Sequence, residues 1–267
     1  MSLTVITGLA AEARIAVATH VTMIIGAGRA DRLAADLEAA IARGARRLLS
    51  FGIAGALAPT LQAGDLIVAH GVRDRSRRLS CDLPWRMAMS GRLQNLSLQA
   101  PPDENSALTS TGNLEQPSSS GLFRFARDDG WRPIVDAGGQ FVLADIAGVD
   151  APVTDAADKT ALFAATGAAA VDMESAIVAR AAQRHRLPFA ILRVIADPSH
   201  RPLPNAALVA MRADGELDLA AVLGALIRDP RQLPALMRLA VDSSGAFSAL
   251  VRARALLGAD FASVDLG

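Results

Sequence analysis

Two acidic positions stand at the ends of apolar runs. Ala170-Val171-Asp172-Met173-Glu174 closes one run, and Ile191-Leu192-Arg193-Val194-Ile195-Ala196-Asp197-Pro198 closes the next. A carboxylate at the mouth of a buried strand can hold a ligand's hydroxyls or exchange a proton with it. Glycines gather at other run ends: Gly8 after LTVIT, Gly26 and Gly28 after VTMII, Gly52 and Gly55 after RLLSF. Lacking a Cβ, they let backbone N–H groups approach an anion or the edge of a ring closely. If the chain brings these ends together, Glu174 and Asp197 share one cleft.

Singly, each position also has a plain structural use. Asp172 suits a helix N-cap, Glu174 a first-turn partner of the helix dipole, and Asp197 before Pro198 a turn. GAGRAD lacks the third glycine of a dinucleotide fingerprint and follows the second strand, so it also reads as a tight strand–helix turn. Arg29 at its end also suits a solvated helix start.

The elements that must do the positioning are legible from periodicity. Strands are expected at 3–7, 21–25, 47–51 and 65–70, with helices over 10–19 and from about Leu33 through Leu37 and Ile41 to a stop at Gly44. Later come a helix at 156–166, a strand at 169–171, a helix at 173–186 and a strand at 189–195. This alternation predicts an α/β fold with a mixed, mostly parallel central sheet flanked by helices, with ligands beyond the strands' carboxyl ends. The chain reads as a single domain over 1–267. Residues 76–147 form an irregular insertion within it, Pro/Ser/Asn-rich at 99–121. Residues 217–257 read as a C-terminal extension of three helices, punctuated by Pro230 and Ser243-Ser244-Gly245.

Composition narrows the function classes. The chain has 267 residues, 51% hydrophobic, with 27 basic and 27 acidic side chains, so no basic face for nucleic acid is expected. All but one of the basic residues are arginine; the lone lysine, Lys159, reads as part of a compositional bias. The single cysteine, Cys81, permits no disulfide within the chain and suits a reducing compartment. The four histidines show no ligand spacing, so no metal is expected. MSLTVITGLA lacks the basic start of a signal peptide, and no apolar run is long enough to span a bilayer. A cytoplasmic protein is the expectation.

Taken together, VDMESAIVA followed by LRVIADPS, with FGIAGALAPTLQAGDLIVA upstream, resembles the nucleoside phosphorylase and nucleosidase superfamily. The resemblance covers roughly 1–75 and 148–200 and implies a nucleoside phosphorylase-like fold. It further implies that the enzyme cleaves an N-glycosidic bond. Asp197 would protonate the leaving purine near N7, and Glu174 would grip the ribose hydroxyls with Met173 packed on the sugar. Ala54 and Gly55 would line the purine or anion side, and Asp172 would join the substrate-binding set. Two nucleophiles stay open. Water would be activated by Glu12, in GLAAEAR; inorganic phosphate, as co-substrate, would meet Gly8, Gly28 and Arg29. Ile53 departs from the small polar residue often found there in the hydrolases. No cofactor is called for.

The tail from RVIADPSHRPLP to VRARALLG, with Val149-Asp150, Lys159 and Leu162, is similar to the hopanoid-associated phosphorylase branch. That implies adenosylhopane, an adenosine joined to a polycyclic lipid, as substrate, and peripheral contact with the inner face of a membrane through the apolar and arginine-bearing 217–257 region. The alternatives are a methylthioadenosine/adenosylhomocysteine nucleosidase or other purine nucleoside phosphorylase and, in another class, a non-catalytic nucleoside-binding module. Relatives commonly build homo-oligomers.

Overall fold

The computed structural model describes residues 2–75, 77–94, 133–134, 141–209, 212 and 214–263. Strand β1 (Ser2–Thr7) leads through helix α1 (Ala10–Ala16) to β2 (Val21–Ile25), then α2 (Ala30–Ala42) and β3 (Ala45–Ala56). Leu33, Leu37 and Ile41 form the buried stripe of α2. The helix stops at Gly44, which takes φ +106° and bonds its N–H to the Ile41 carbonyl. β1 lies parallel between β2 and β3.

β3 is longer than expected because it runs on through Gly52-Ile53-Ala54-Gly55 instead of turning there. Its body pairs parallel with β9 (Phe189–Asp197), and its end pairs antiparallel with β8 (Ala170–Asp172). β4 (Leu66–Asp74) pairs antiparallel with β9 and parallel with β7 (Phe141–Gly148), which pairs in turn with β8. Strands β3, β9, β4, β7 and β8 thus close a ring of pairings. Every residue of β9 is buried, which explains its unbroken apolar run. α4 (Ala156–Thr166) and α5 (Ser175–His185) fill the later crossovers.

The stretch read as an irregular insertion is largely regular at its margins. β5 (Arg77–Ser80) extends the sheet beside β4, α3 (Leu83–Leu93) follows, β6 (Pro133–Ile134) pairs with β7, and β7 sits inside the sheet. FVLADIAG is a strand because β4 and β8 flank it, a long-range pairing that its polar surroundings in sequence do not announce. The Pro/Ser/Asn-rich run at 99–121 lies outside the described residues.

After the short α6 (Asn205–Leu208), the tail forms two α-helices, not three: α7 (Leu219–Arg228) and α8 (Leu233–Leu257), joined by a 3-10 turn at Pro230–Gln232. Pro230 does break the path. Ser243-Ser244-Gly245 does not, because Ala246, Ala249, Leu250, Ala253 and Leu257 are buried against the sheet. That packing outweighs the ~1 kcal/mol cost of a mid-helix glycine. Beyond α8, Phe261 packs edge-on against Phe51 and accepts a bond from the Trp85 indole at 2.9 Å. Among the described residues no helix is long and apolar enough to cross a membrane.

Candidate active site

Buried charges gather around β3, carried by the turn after β1, by β8 and the start of α5, and by β9. β1 ends at Thr7, and the Gly8–Leu9 turn starts α1, whose first turn places Glu12 back over the strand end. The Glu12 carboxylate is buried. Oε2 accepts from the Gly8 and Leu9 N–H groups at 2.8 and 2.9 Å, and Oε1 accepts from the Ile53 N–H at 2.8 Å. A carboxylate has about four acceptor positions, so roughly one is left for another proton. Burial pushes the Glu12 pKa up, against the opposing pull of Arg193 and the three N–H bonds.

Arg193, in the middle of β9, was not singled out from sequence, although an arginine inside FAILRVIAD must find buried partners. It is 0% exposed. It pairs with Asp172, approaches Glu174 Oε2 at 3.4 Å, and donates to Ser50 Oγ at 2.7 Å. Its Nη1 is buried and has no hydrogen-bond partner among the described residues. Gly52, at φ +155°, makes room for both groups. A Cβ there would lie 2.5 Å from Glu12 Oε1 and 2.7 Å from Arg193 Nη1. Ser50 and Ser175, also missed from sequence, complete the support: Ser175 Oγ donates to Asp172 and lies 3.1 Å from Ser50 Oγ.

Glu174 reaches into the same space. Its Oε1 lies 3.0 Å from a Cβ built on Gly8, and its Cγ 3.2 Å from one built on Gly26. Its pKa is raised to about 7, first by burial and then by Asp172 and Glu12, against the pull of Arg193. Met173 and Glu174 line a narrow crevice with Gly26, Gly28, Arg29 and Asp150. Gly28 and Arg29 are exposed at its mouth. Asp172 stands differently from the expectation. Its carboxylate faces Arg193 and Ser175 behind the crevice, so it anchors the guanidinium.

Asp197 ends β9 beside Gly55, with Oδ2 3.4 Å from a Cβ built there. Burial raises its pKa, opposed by Lys159, whose Nζ is 2.5 Å from Oδ2. Gly52 and Gly55 are three residues apart on one strand, about 10 Å at ~3.3 Å per residue. The Glu12–Arg193–Glu174 cluster and Asp197 thus stand along the same end of β3, with the buried Ala54 between them. Cys81 is buried elsewhere, its thiol pushed up by burial.

A sequence profile described as the phosphorylase superfamily matches residues 1–228. No curated protein sequence matches the chain. Among solved structures, futalosine hydrolase of Helicobacter pylori strain 26695 is 14% identical, covers 96% of this chain and 97% of its own, and superposes with a TM-score of 0.59. S-adenosylhomocysteine nucleosidase from Streptococcus pyogenes is 14% identical, with 95% of each chain covered and a TM-score of 0.57. The 5'-methylthioadenosine/S-adenosylhomocysteine nucleosidase of S. pneumoniae is 15% identical, with 96% and 98% covered and a TM-score of 0.56. At such identities the likeness is one of fold.

Proposed function

The chain belongs to the phosphorylase superfamily, enzymes that cleave N-glycosidic bonds, and on that premise we propose that it releases adenine from an adenosine-containing substrate by hydrolysis. One observation carries the choice of water. Glu12, with an acceptor position to spare, and the unpartnered Nη1 of Arg193 meet at Gly52. A substrate water reaching both groups would accept from Arg193 and give its proton to Glu12. The local charge supports the same choice. Three carboxylates, Glu12, Asp172 and Glu174, surround the one guanidinium, a balance that repels a phosphate dianion and favours a cationic sugar. Arg29, offered to phosphate from sequence, sits exposed at the rim.

The chemistry follows from the placement. Protonated Asp197 gives its proton to the purine N7, and the glycosidic bond breaks with its electron pair leaving on the base. The ribosyl ring becomes cationic at C1′. Glu174 grips the ribose hydroxyls and, as an anion, stabilises that ring. Water then bonds to C1′ as Glu12 takes its proton. Chromatography of the base and sugar products tests this. Adenine with free sugar, at a rate independent of phosphate, is expected; release that requires phosphate and yields a sugar phosphate overturns it.

For the substrate we favour adenosine carried on a polycyclic lipid, adenosylhopane, with the protein peripheral to the inner face of the membrane. The tail's likeness to the hopanoid branch supports this. So does the surface: Leu219, Leu223 and Ile227 of α7 are 74, 60 and 74% exposed. Leu233, Met237 and Val241 of α8 are exposed too, as are Arg228, Arg231 and Arg238. Such a face suits an anionic bilayer. The rival is a methylthioadenosine/adenosylhomocysteine nucleosidase, supported by the shared fold; there that face meets a second copy of the chain. Faster turnover of the lipid-linked nucleoside, with co-sedimentation on anionic liposomes, supports the first. Equal turnover of methylthioadenosine, with no liposome binding, favours the second. Binding of adenosine without cleavage makes the chain a non-catalytic module.

A further inference from the structure

Arginine supplies every basic residue of this chain except Lys159. That one lysine is also the buried residue of α4, at 0% exposure, while its neighbours on the helix face outward or lie part-buried. Its Nζ lies 2.5 Å from Asp197 Oδ2, 2.9 Å from the Arg201 carbonyl and 3.2 Å from the Pro198 carbonyl. An ammonium has three protons to donate, and each finds an acceptor. A planar guanidinium on a longer arm cannot converge on three acceptors set around a single nitrogen. The position therefore calls for lysine, in a chain that otherwise uses arginine.

We infer that Lys159 is the positioning residue for the acid: its ammonium fixes one oxygen of Asp197 and leaves the other for the departing base. It also stabilises the carboxylate formed when the proton leaves. The inference rests on the reading of Asp197 as proton donor. In the step, the Asp197 O–H bond breaks, the purine N7–H bond forms, and the electron pair stays on Asp197. Lys159 keeps its own protons throughout. Two other charged groups face Asp197: Arg201 from the loop after β9, and Asp242 from α8. These two pair with each other at 2.5 Å, so their effects on Asp197 largely cancel and Lys159 supplies the uncompensated charge. The same nitrogen ties the Pro198–Arg201 turn to the carboxylate.

The signs are definite. Burial raises the Asp197 pKa and Lys159 lowers it. Removing the lysine's charge moves the alkaline limb of kcat/KM upward, by roughly one to three pH units. It also makes Asp197 a weaker donor. For Lys159→Gln, kcat for adenine release from adenosine should fall roughly tenfold to a hundredfold, with KM little changed. Lys159→Arg, which keeps the charge but not the three-acceptor fit, should return the limb toward its original position while kcat stays reduced. 4-Nitrophenyl riboside, whose leaving group needs no proton, should be cleaved nearly as fast by Lys159→Gln as by the wild type.

An unmoved alkaline limb, or an equal loss on both substrates, overturns the inference. Asp197→Asn separates the two claims. If it releases adenine like the wild type, the acid reading itself fails. If it is inactive on adenosine yet active on the nitrophenyl riboside while Lys159→Gln behaves as wild type, only the role of Lys159 fails. Should Lys159→Gln not fold, wild-type protein grown on side-chain 15N-labelled lysine gives one side-chain nitrogen signal. That signal should move with the alkaline limb; a signal flat across the limb overturns the proposal.

Discussion

The strand-end site and the C-terminal helices invert each other's surfaces. At the ends of β1, β3 and β9, charges are kept dry: Glu12, Asp172, Glu174, Arg193 and Lys159 are all buried. On α7 and the first half of α8, large apolar side chains are kept wet. Both arrangements cost free energy in isolation, because ions lose hydration and apolar surface stays in water. The site offsets its cost with partners: three N–H bonds on Glu12, three acceptors on Lys159, and two carboxylates and a serine on Arg193. The exposed residues of these helices carry no such internal compensation among the described residues. The second half of α8 sharpens the contrast, since Ala246, Leu250 and Ala253 of the same helix are fully buried.

Three variants probe the comparison. The largest effect is expected from Glu12→Gln. It removes the proposed base and turns an amide N–H₂ toward backbone N–H groups, so kcat should fall ~10²–10⁴-fold. Steady-state adenine release measures it, and a change under tenfold would mean the dry charges are architecture only. Next comes Arg193→Met, which leaves Asp172 and Glu174 buried beside an uncharged side chain. Stability should drop by about 3–5 kcal/mol in chemical denaturation; a neutral result would show that the cluster tolerates its own repulsion. The smallest effect on stability is expected from Leu223→Glu combined with Met237→Glu. The fold should hold to within about 0.5 kcal/mol per site while liposome binding or self-association is lost. A folded double variant that binds or associates as before would mean these side chains have no occupant.

Part of the candidate site was legible because it sits where periodicity changes. DMES and ADPS each close an apolar run, but only β9 runs parallel to β3; β8 reaches the same place antiparallel, by pairing with the end of β3. Glu12 was legible only through the resemblance; nothing in GLAAEAR states that an N–H from Ile53 will meet it. Arg193 was readable in principle, as a lone charge in a buried strand, but its partners lie on β3, β8 and α5, far off in sequence. Asp172 was placed in the right neighbourhood with the wrong neighbour, since its short side chain turns inward to the guanidinium. β7 was missed because strand pairing is decided across the chain. The extra break at Ser243-Ser244-Gly245 was expected because local propensity ignores the face that α8 buries.

β3 has a final consequence. Ile53 holds Glu12, Gly52 admits it, and Gly55 seats Asp197, all on one extended segment clasped by β9 and β8. The strand acts as a ruler whose graduations are set by peptide geometry. A slip of one residue against its neighbours would misplace Glu12 and Asp197 together, not one at a time. Reaction geometry here is inherited from sheet register, so damage to that pairing should silence the whole site at once instead of degrading it by steps.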